Sequence, residues 1–286
     1  MIMWHVFAID PVWAVMLAAV LGLAVGSWIT AAGHRLPRIM ERDWAQQWQA
    51  AQNTGQADGG EHEQAQEQPY TLWRPGWHCT HCHAPVRGWQ RLPILSWVFT
   101  RGHCSDCGAS IGWRYPVTET LTAILFALCA WQFGPTPLAL AAMGFCAALL
   151  LLSWIDLQTC LLPDAVTLPL AWAGLLVNLH GAITPLPLAV LGAVAGYLFL
   201  WLLFHVFRLV TGREGMGYGD FKLLAALGAW LGLASLPMLL LVASISGVVA
   251  ALCLRLIGRA QAGQALPFGP YLALAGVVML FVTVAG

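Results

Sequence analysis

Long uncharged apolar runs alternate along the chain with short stretches that collect almost all of its charge. The first run extends from Val12 to Gly33, and after a polar interval others follow at about 117–133, 137–155, 165–181, 187–207, 222–236, 238–257 and 267–285. A hydrocarbon core about 30 Å thick is crossed by roughly 20 apolar residues in helical form, so these eight runs predict eight transmembrane helices. Leu223 to Leu254 is long enough for one tilted helix, but Gly228, Gly232 and Pro237 punctuate it and favour two short ones. The predicted fold is an all-α polytopic membrane protein. It divides into an N-terminal transmembrane anchor over 1–33, a loop region over 34–116 and a seven-helix transmembrane core over 117–286.

Composition agrees. The 286 residues are 59% hydrophobic and 9% charged, whereas soluble domains carry about 25% charged residues. With 13 basic and 13 acidic residues the formal net charge is zero, so no global charge argument points to nucleic acid. The placement of charge is informative. If the N-terminus lies outside, all 13 Lys and Arg fall on one side of the membrane: eight in the loop over 34–116, then Arg208, Arg213 and Lys222, then Arg255 and Arg259. Basic residues accumulate in cytoplasmic loops, so that side is the cytoplasm. Merging the sixth and seventh spans would send Arg255 and Arg259 outside. The first ten residues lack a basic segment, and the basic flank follows the first span, as in an uncleaved anchor.

The loop has two parts. Residues 45–69 are polar and rich in Gln and Ala, which predicts a flexible or weakly helical segment. Residues 72–115 are rich in Trp, Cys, His and Gly, and so small a unit needs a staple. Cys79-Thr-His-Cys82 and, after 21 residues, Cys104-Ser-Asp-Cys107 have the spacing of a tetrahedral zinc thiolate site, two ligands from each turn. Two disulfides or four free thiols are the alternatives; a reducing cytoplasmic face disfavours the first, and the second leaves no staple. Four thiolates leave no open position for a catalytic water, so the predicted role is structural. His78, His81, His83 and His103 crowd the site as polar surface residues or substitute ligands. Cys129, Cys146, Cys160 and Cys253 are read as packing residues.

Ionisable groups at membrane depth are costly, and each is a candidate for function. Asp156 ends the third span and Asp220 opens the sixth, both at the predicted cytoplasmic boundary. Two carboxylates brought together can share a proton, one activating a water and the other protonating a scissile carbonyl oxygen. Gly217 and Gly219 allow an extended backbone to approach, and Lys222 lies beside them. Simpler readings stand next to this one. Asp220 can be a helix N-cap, the cap reading is preferred for Asp164, and proton-coupled transporters also carry intramembrane carboxylates.

The segment Glu214-Gly-Met-Gly-Tyr-Gly-Asp220-Phe-Lys-Leu-Leu224 contains the GxGD pattern of intramembrane aspartyl proteases and resembles the signature of the type IV prepilin peptidases. Other stretches are similar to landmarks of that family, in family order: Gly26-Ser-Trp28, His34-Arg-Leu-Pro37, the two CxxC pairs, Arg114-Tyr-Pro116 with Glu119, Asp156 with Leu162-Pro-Asp164, and Pro267-Phe-Gly-Pro270. The resemblance covers roughly residues 22 to 276. Thr30 departs from it, since the family more usually has Asn there.

The resemblance implies a bifunctional enzyme of the bacterial inner membrane. It would cut the basic leader of type IV prepilins and type II secretion pseudopilins after Gly, at the cytoplasmic face, and then methylate the new N-terminus with S-adenosylmethionine. Asp156 and Asp220 match the catalytic aspartates, while Gly102 and Glu119 are candidates for the methyltransferase half. No Gly-rich nucleotide signature is present. Membrane lipid is an expected partner and nucleic acid is not. Two rivals remain: a presenilin-like or signal-peptide-peptidase-like protease, which leaves the cysteine loop unexplained, and a proton-coupled transporter, which needs carboxylates near mid-bilayer.

Overall fold

The computed structural model describes residues 10–53, 71, 79, 81–82, 84–85, 93–212, 216–258 and 267–285. Nine α-helices are found among them: α1 (Pro11–Asn53), α2 (Leu95–Phe99), α3 (Arg114–Phe133), α4 (Pro137–Thr159), α5 (Asp164–Val177), α6 (Leu186–Thr211), α7 (Tyr218–Leu231), α8 (Leu236–Leu256) and α9 (Gly269–Ala285). Short 3-10 turns follow α5 at Asn178–His180 and α7 at Leu233–Ser235. Each of the eight predicted spans corresponds to one helix.

Five of these helices are long and apolar enough to cross a membrane, which makes the chain a multi-pass membrane protein. The other three are shorter. α5 and α7 have 14 residues each and α9 has 17, or about 21 to 26 Å at 1.5 Å per residue. The short helices are tolerated because they are enclosed by others. α7 is buried almost all round, from Asp220 and Phe221 to Trp230 and Leu231, whereas α1, α6 and α8 expose apolar side chains outward, as lipid-facing helices do. Asp220, its third residue, is buried with the rest of the helix.

The predicted break between the sixth and seventh spans is present. α7 stops at Gly232, whose φ of +81° suits glycine alone, and Pro237 lies in the first turn of α8. In contrast, the predicted boundary at residue 33 is not a break. α1 runs on for 43 residues through Pro37, about 65 Å, and takes up residues 45–53 of the Gln/Ala-rich segment as helix. Residues 54–69 lie outside the described residues. Alanine, glutamine and tryptophan continue a helix already nucleated in the membrane, so of the two alternatives expected for this segment, flexible or weakly helical, residues 45–53 take the helical one.

Small residues set the helix spacing. A Cβ on Gly22 would stand 2.6 Å from the Ala123 Cα, and one on Gly26 would stand 2.7 Å from the Glu119 Cα, so α1 and α3 touch backbone to backbone. Gly192 and Gly196 do the same for α6 against α7, where a Cβ would meet the Gly228 and Leu224 carbonyl oxygens at 2.5 and 2.8 Å. Without a hydrophobic drive between helices in lipid, this contact supplies the association. Thr30 is fully buried and donates to the Gly26 carbonyl at 3.0 Å.

The far end of α7 is fixed by one side chain. Asn178 is fully buried; its amide donates to the Ala229 and Trp230 carbonyls at 2.9 and 2.8 Å, and its oxygen accepts from the Ile183 and Thr184 amides at 3.0 and 3.1 Å. It thus satisfies helix-end carbonyls that would otherwise lack partners in an apolar setting. The Trp230 indole donates to the Leu170 carbonyl at 2.8 Å and packs on Phe145, centroids 4.7 Å apart. Replacing Asn178 with Ala strands four groups and is expected to cost about 2–4 kcal/mol. Thermal unfolding in detergent measures it, and a Tm equal to wild type would show that the network contributes nothing.

Candidate active site and metal centre

Four helix termini meet at the end of the bundle where α4 stops and α5, α7 and α9 begin. α4 ends because Pro163 cannot continue it and because Cys160 turns the chain in a left-handed conformation, φ +53°, with its amide on the Asp156 carbonyl at 2.9 Å. The turn lays Leu162 across the other two helix starts. A Cβ on Gly219 would lie 2.7 Å from that of Leu162, and one on Gly269 would lie 3.3 Å from its Cδ2. The glycines make room for the leucine, and the leucine closes the site.

Asp156 and Asp220 converge beneath it. They are 4% and 6% exposed and lie within electrostatic reach of each other, with the exposed Cys160 thiol in reach of both. The Gly269 amide donates to the Asp156 Oδ2 at 2.9 Å. Gly217 caps α7 in extended conformation, φ −78° and ψ 146°, and its carbonyl accepts from the Asp220 amide at 3.3 Å. Asp220 is therefore not the N-cap of α7. Nor does Asp164 cap α5, as expected from sequence: Pro163 holds that position, and Asp164, the first helical residue, binds Lys222 Nζ with both oxygens at 2.6 and 2.7 Å. The pair is too exposed to add more than about 1 kcal/mol, but it joins the starts of α5 and α7. Glu214 and Gly215 lie outside the described residues.

Near the other end of the loop, Gly102 has φ +71° and packs under Trp97. Its amide donates to the Trp97 carbonyl at 2.8 Å and its carbonyl accepts from Ile111 at 2.6 Å. Glu119 is buried in α3 and accepts from the Ile94 amide at 2.7 Å, with Ser27 of α1 as a second partner. Glycine is needed at 102 for the turn, and Glu119 ties the loop to the bundle. Neither leaves a free polar group pointing to a ligand.

The four cysteines come together, each sulfur within 4.8 Å of the others and the Cys79 and Cys107 sulfurs 3.9 Å apart. A tetrahedron with bonds of about 2.3 Å has edges of about 3.8 Å, so the set fits a metal. The two knuckles repeat one turn, with Cys79 N–H on Ala84 O at 2.9 Å and Cys104 N–H on Ala109 O at 2.8 Å. The Cys82 and His81 amides hold the Cys79 thiol down at about 6. The Ala109 amide favours the Cys107 thiolate, yet burial and the three other sulfurs outweigh it and push this thiol up to about 12. Four thiolates cannot form side by side without a cation. His81 contributes its amide, 3.4 Å from the Cys79 sulfur, and His103 bonds the Arg101 carbonyl at 2.8 Å, so neither imidazole belongs to the set. His78 and His83 lie outside the described residues. Cys129 and Cys146 are buried packing residues as expected, whereas Cys160 and Cys253 are exposed.

What sequence reasoning missed is the main chain. Pro267-Phe-Gly-Pro270 had no assigned role, although a Gly-Pro pair opening an apolar run marks a helix start, where backbone amides lack intrahelical partners.

Comparison with known proteins finds similar chains. A profile described as "Type IV leader peptidase family" matches residues 143–252, and "Bacterial Peptidase A24 N-terminal domain" matches residues 20–133. Similar proteins include the prepilin leader peptidase/N-methyltransferase of Burkholderia pseudomallei, 48% identical over 92% of this chain and 84% of that protein. Those of Neisseria gonorrhoeae and Pseudomonas putida are each 45% identical, over 93% and 96% of this chain and 90% and 93% of theirs. No solved structure matches.

Purified protein is expected to carry about one thiophilic divalent metal per chain, lost from the Cys79→Ser/Cys82→Ser double variant. Elemental analysis decides this; active protein free of metal would refute it.

Proposed function

The chain belongs to the type IV leader peptidase family, and on that premise we propose that it processes the precursors of type IV pilins and type II secretion pseudopilins. It cuts the basic leader after its terminal Gly and then methylates the new amino terminus with S-adenosylmethionine. The observation that carries this reading is the convergence of Asp156 and Asp220, from two separate helices, in a buried site at one end of the bundle. We place that end at the cytoplasmic face of the bacterial inner membrane, because Arg35, Arg38, Arg114, Arg208 and Lys222 lie at the same end. A precursor with an apolar helix and a basic cytoplasmic leader would present its scissile bond at that depth.

In this proposal one carboxylate accepts a proton from water while the other donates to the carbonyl oxygen. Gly217 keeps the approach to Asp220 clear, whereas Gly219, expected from sequence to do the same, is taken up by Leu162; the Lys222–Asp164 pair joins the starts of α5 and α7. The anchor, the loop module and the seven-helix core act as the units of this organisation. The metal in the cysteine module is zinc in this reading, with Cys79, Cys82, Cys104 and Cys107 as ligands and a structural role. S-adenosylmethionine supplies the methyl group. Gly102 and Glu119 contribute by shaping and anchoring the loop, since their polar groups are already engaged. A transporter would need its carboxylates in mid-helix, whereas Asp156 stands in the last turn of α4 and Asp220 in the first of α7.

The deciding experiment mixes purified protein with a prepilin precursor, with and without S-adenosylmethionine, and weighs the product. Leader loss in both cases and a further methyl mass only with the cofactor are expected; an intact precursor in both would sink the reading. Asp156→Asn and Asp220→Asn should each abolish cleavage in folded protein, while Asp164→Asn keeps most of it because only an exposed ion pair is lost. The three cleavage assays test this assignment, and an Asp164 variant as inactive as the other two would mean the pair is wrongly chosen. The chemistry needs one protonated and one ionised carboxylate, so cleavage rate against pH should be bell-shaped. A rate still climbing well above neutral pH would exclude the shared proton.

A further inference from the structure

Asp156 and Asp220 are the same chemical group, yet hydrolysis requires them to begin in different states. Their surroundings differ in one respect that can decide which is which. The Gly269 amide meets the Asp156 Oδ2 at 2.9 Å in a buried setting, and a donor of this kind binds a carboxylate more strongly than a carboxylic acid. The amide is uncommitted elsewhere: Pro270 has no N–H, and the Tyr271 and Leu272 amides are already on the Phe268 carbonyl at 3.1 and 3.2 Å. Gly269 is also the first residue of the 17-residue α9, so the positive end of that helix faces Asp156. Asp220 also stands at a helix start, in the first turn of α7 with the Gly217 backbone beside it. No contact as close as the 2.9 Å one on Asp156 is found there among the described residues, and the charge each carboxylate presents to the other is mutual.

We propose that Asp156 is the base and Asp220 the acid of the pair, and that the Gly269 backbone N–H, as a positioning group, imposes this division. The inference rests on the proteolytic reading above. With Asp156 ionised, a second buried negative charge beside it is disfavoured, and the proton stays on Asp220. Water then gives a proton to Asp156 as its oxygen bonds to the scissile carbonyl carbon, and Asp220 gives its proton to the carbonyl oxygen. In the collapse, Asp220 takes a proton back from one hydroxyl of the gem-diol and the C–N bond breaks. The leaving nitrogen receives the proton held by Asp156, which restores both groups.

Other charges nearby do not confuse the assignment. The Cys160 thiol lies within electrostatic reach of both carboxylates, and Asp164 and Lys222 neutralise each other. Tyr271, the one titratable residue of α9, lies against Gly247 of α8. On α1 and α3, His34, Arg35, Arg38 and Arg114 gather with Tyr115.

The test is the pH profile of leader cleavage by wild type, Gly269→Ala, Gly269→Pro and, as a control, Gly247→Ala, with folding checked at each pH. Both variants place a Cβ 2.6 Å from the Asp156 Oδ2; proline also removes the N–H, at a first-turn position where helices accept it, whereas alanine keeps the N–H and its Cβ forces the bond apart. The acid limb, which reports protonation of the base, is expected to move up by about one pH unit, with the alkaline limb unmoved and the control unchanged. Movement of the alkaline limb alone would reverse the roles. No movement in either, or a folded Gly269→Ala that is inactive at every pH, would overturn the proposal. If neither variant folds, infrared spectra of the aspartate variants at the optimum decide. The protonated carboxyl band should vanish in Asp220→Asn, and a band that survives there but vanishes in Asp156→Asn refutes the assignment. Wild type that cleaves nothing at any pH defeats the proteolytic reading itself, a different result from any of these.

Discussion

A carboxylate withdrawn from water needs donors or a partner charge to replace the solvation it loses, and this chain meets that need twice at one end of a helical bundle. It does so largely with main chain. Asp156 takes its donor from the start of α9, and Asp220 lies in the first turn of α7, where helix amides are unpaired. Both arrangements depend on backbone coming close to side chain. That depends in turn on glycine at 219 and 269 and on a leucine that fits over them. The rest of the fold holds these few termini in register.

The holding is done by close contacts rather than by burial of large side chains alone. α7 sits at the centre, with α6 against its backbone through Gly192 and Gly196, and Asn178 secures its far end. A helix gripped along one side and capped at the distant end has little freedom to rotate. Its first turn, with Asp220, is fixed by interactions up to about 20 Å away. The exposed Lys222–Asp164 pair links the starts of α5 and α7 but adds little energy.

Much of this was legible in the sequence because the relevant signals are one-dimensional. Apolar run lengths gave eight of the nine helices, Gly232 and Pro237 gave the break after α7, and the doubled CxxC spacing gave the thiol cluster. Asp156 and Asp220 stood out because carboxylates are rare in apolar runs. What could not be read are facts about partners far apart in the chain. The bond from Gly269 to Asp156 spans 113 positions, and that from Lys222 to Asp164 spans 58. A glycine advertises nothing about what its amide will meet. The continuation of α1 past residue 33 was only half legible: polarity left residues 45–69 as flexible or weakly helical, and Ala and Gln are good helix formers once the turns before them are in place.

The left-handed turn at Cys160 has an engineering consequence. It places an exposed thiol at the rim of a site whose carboxylates are themselves inaccessible to most reagents. Any electrophile small enough to reach the rim would find a natural attachment point. A spectroscopic label fixed there would report on events at the buried pair without altering either member. The molecule thus carries its own handle for chemists, a few bonds from its chemistry.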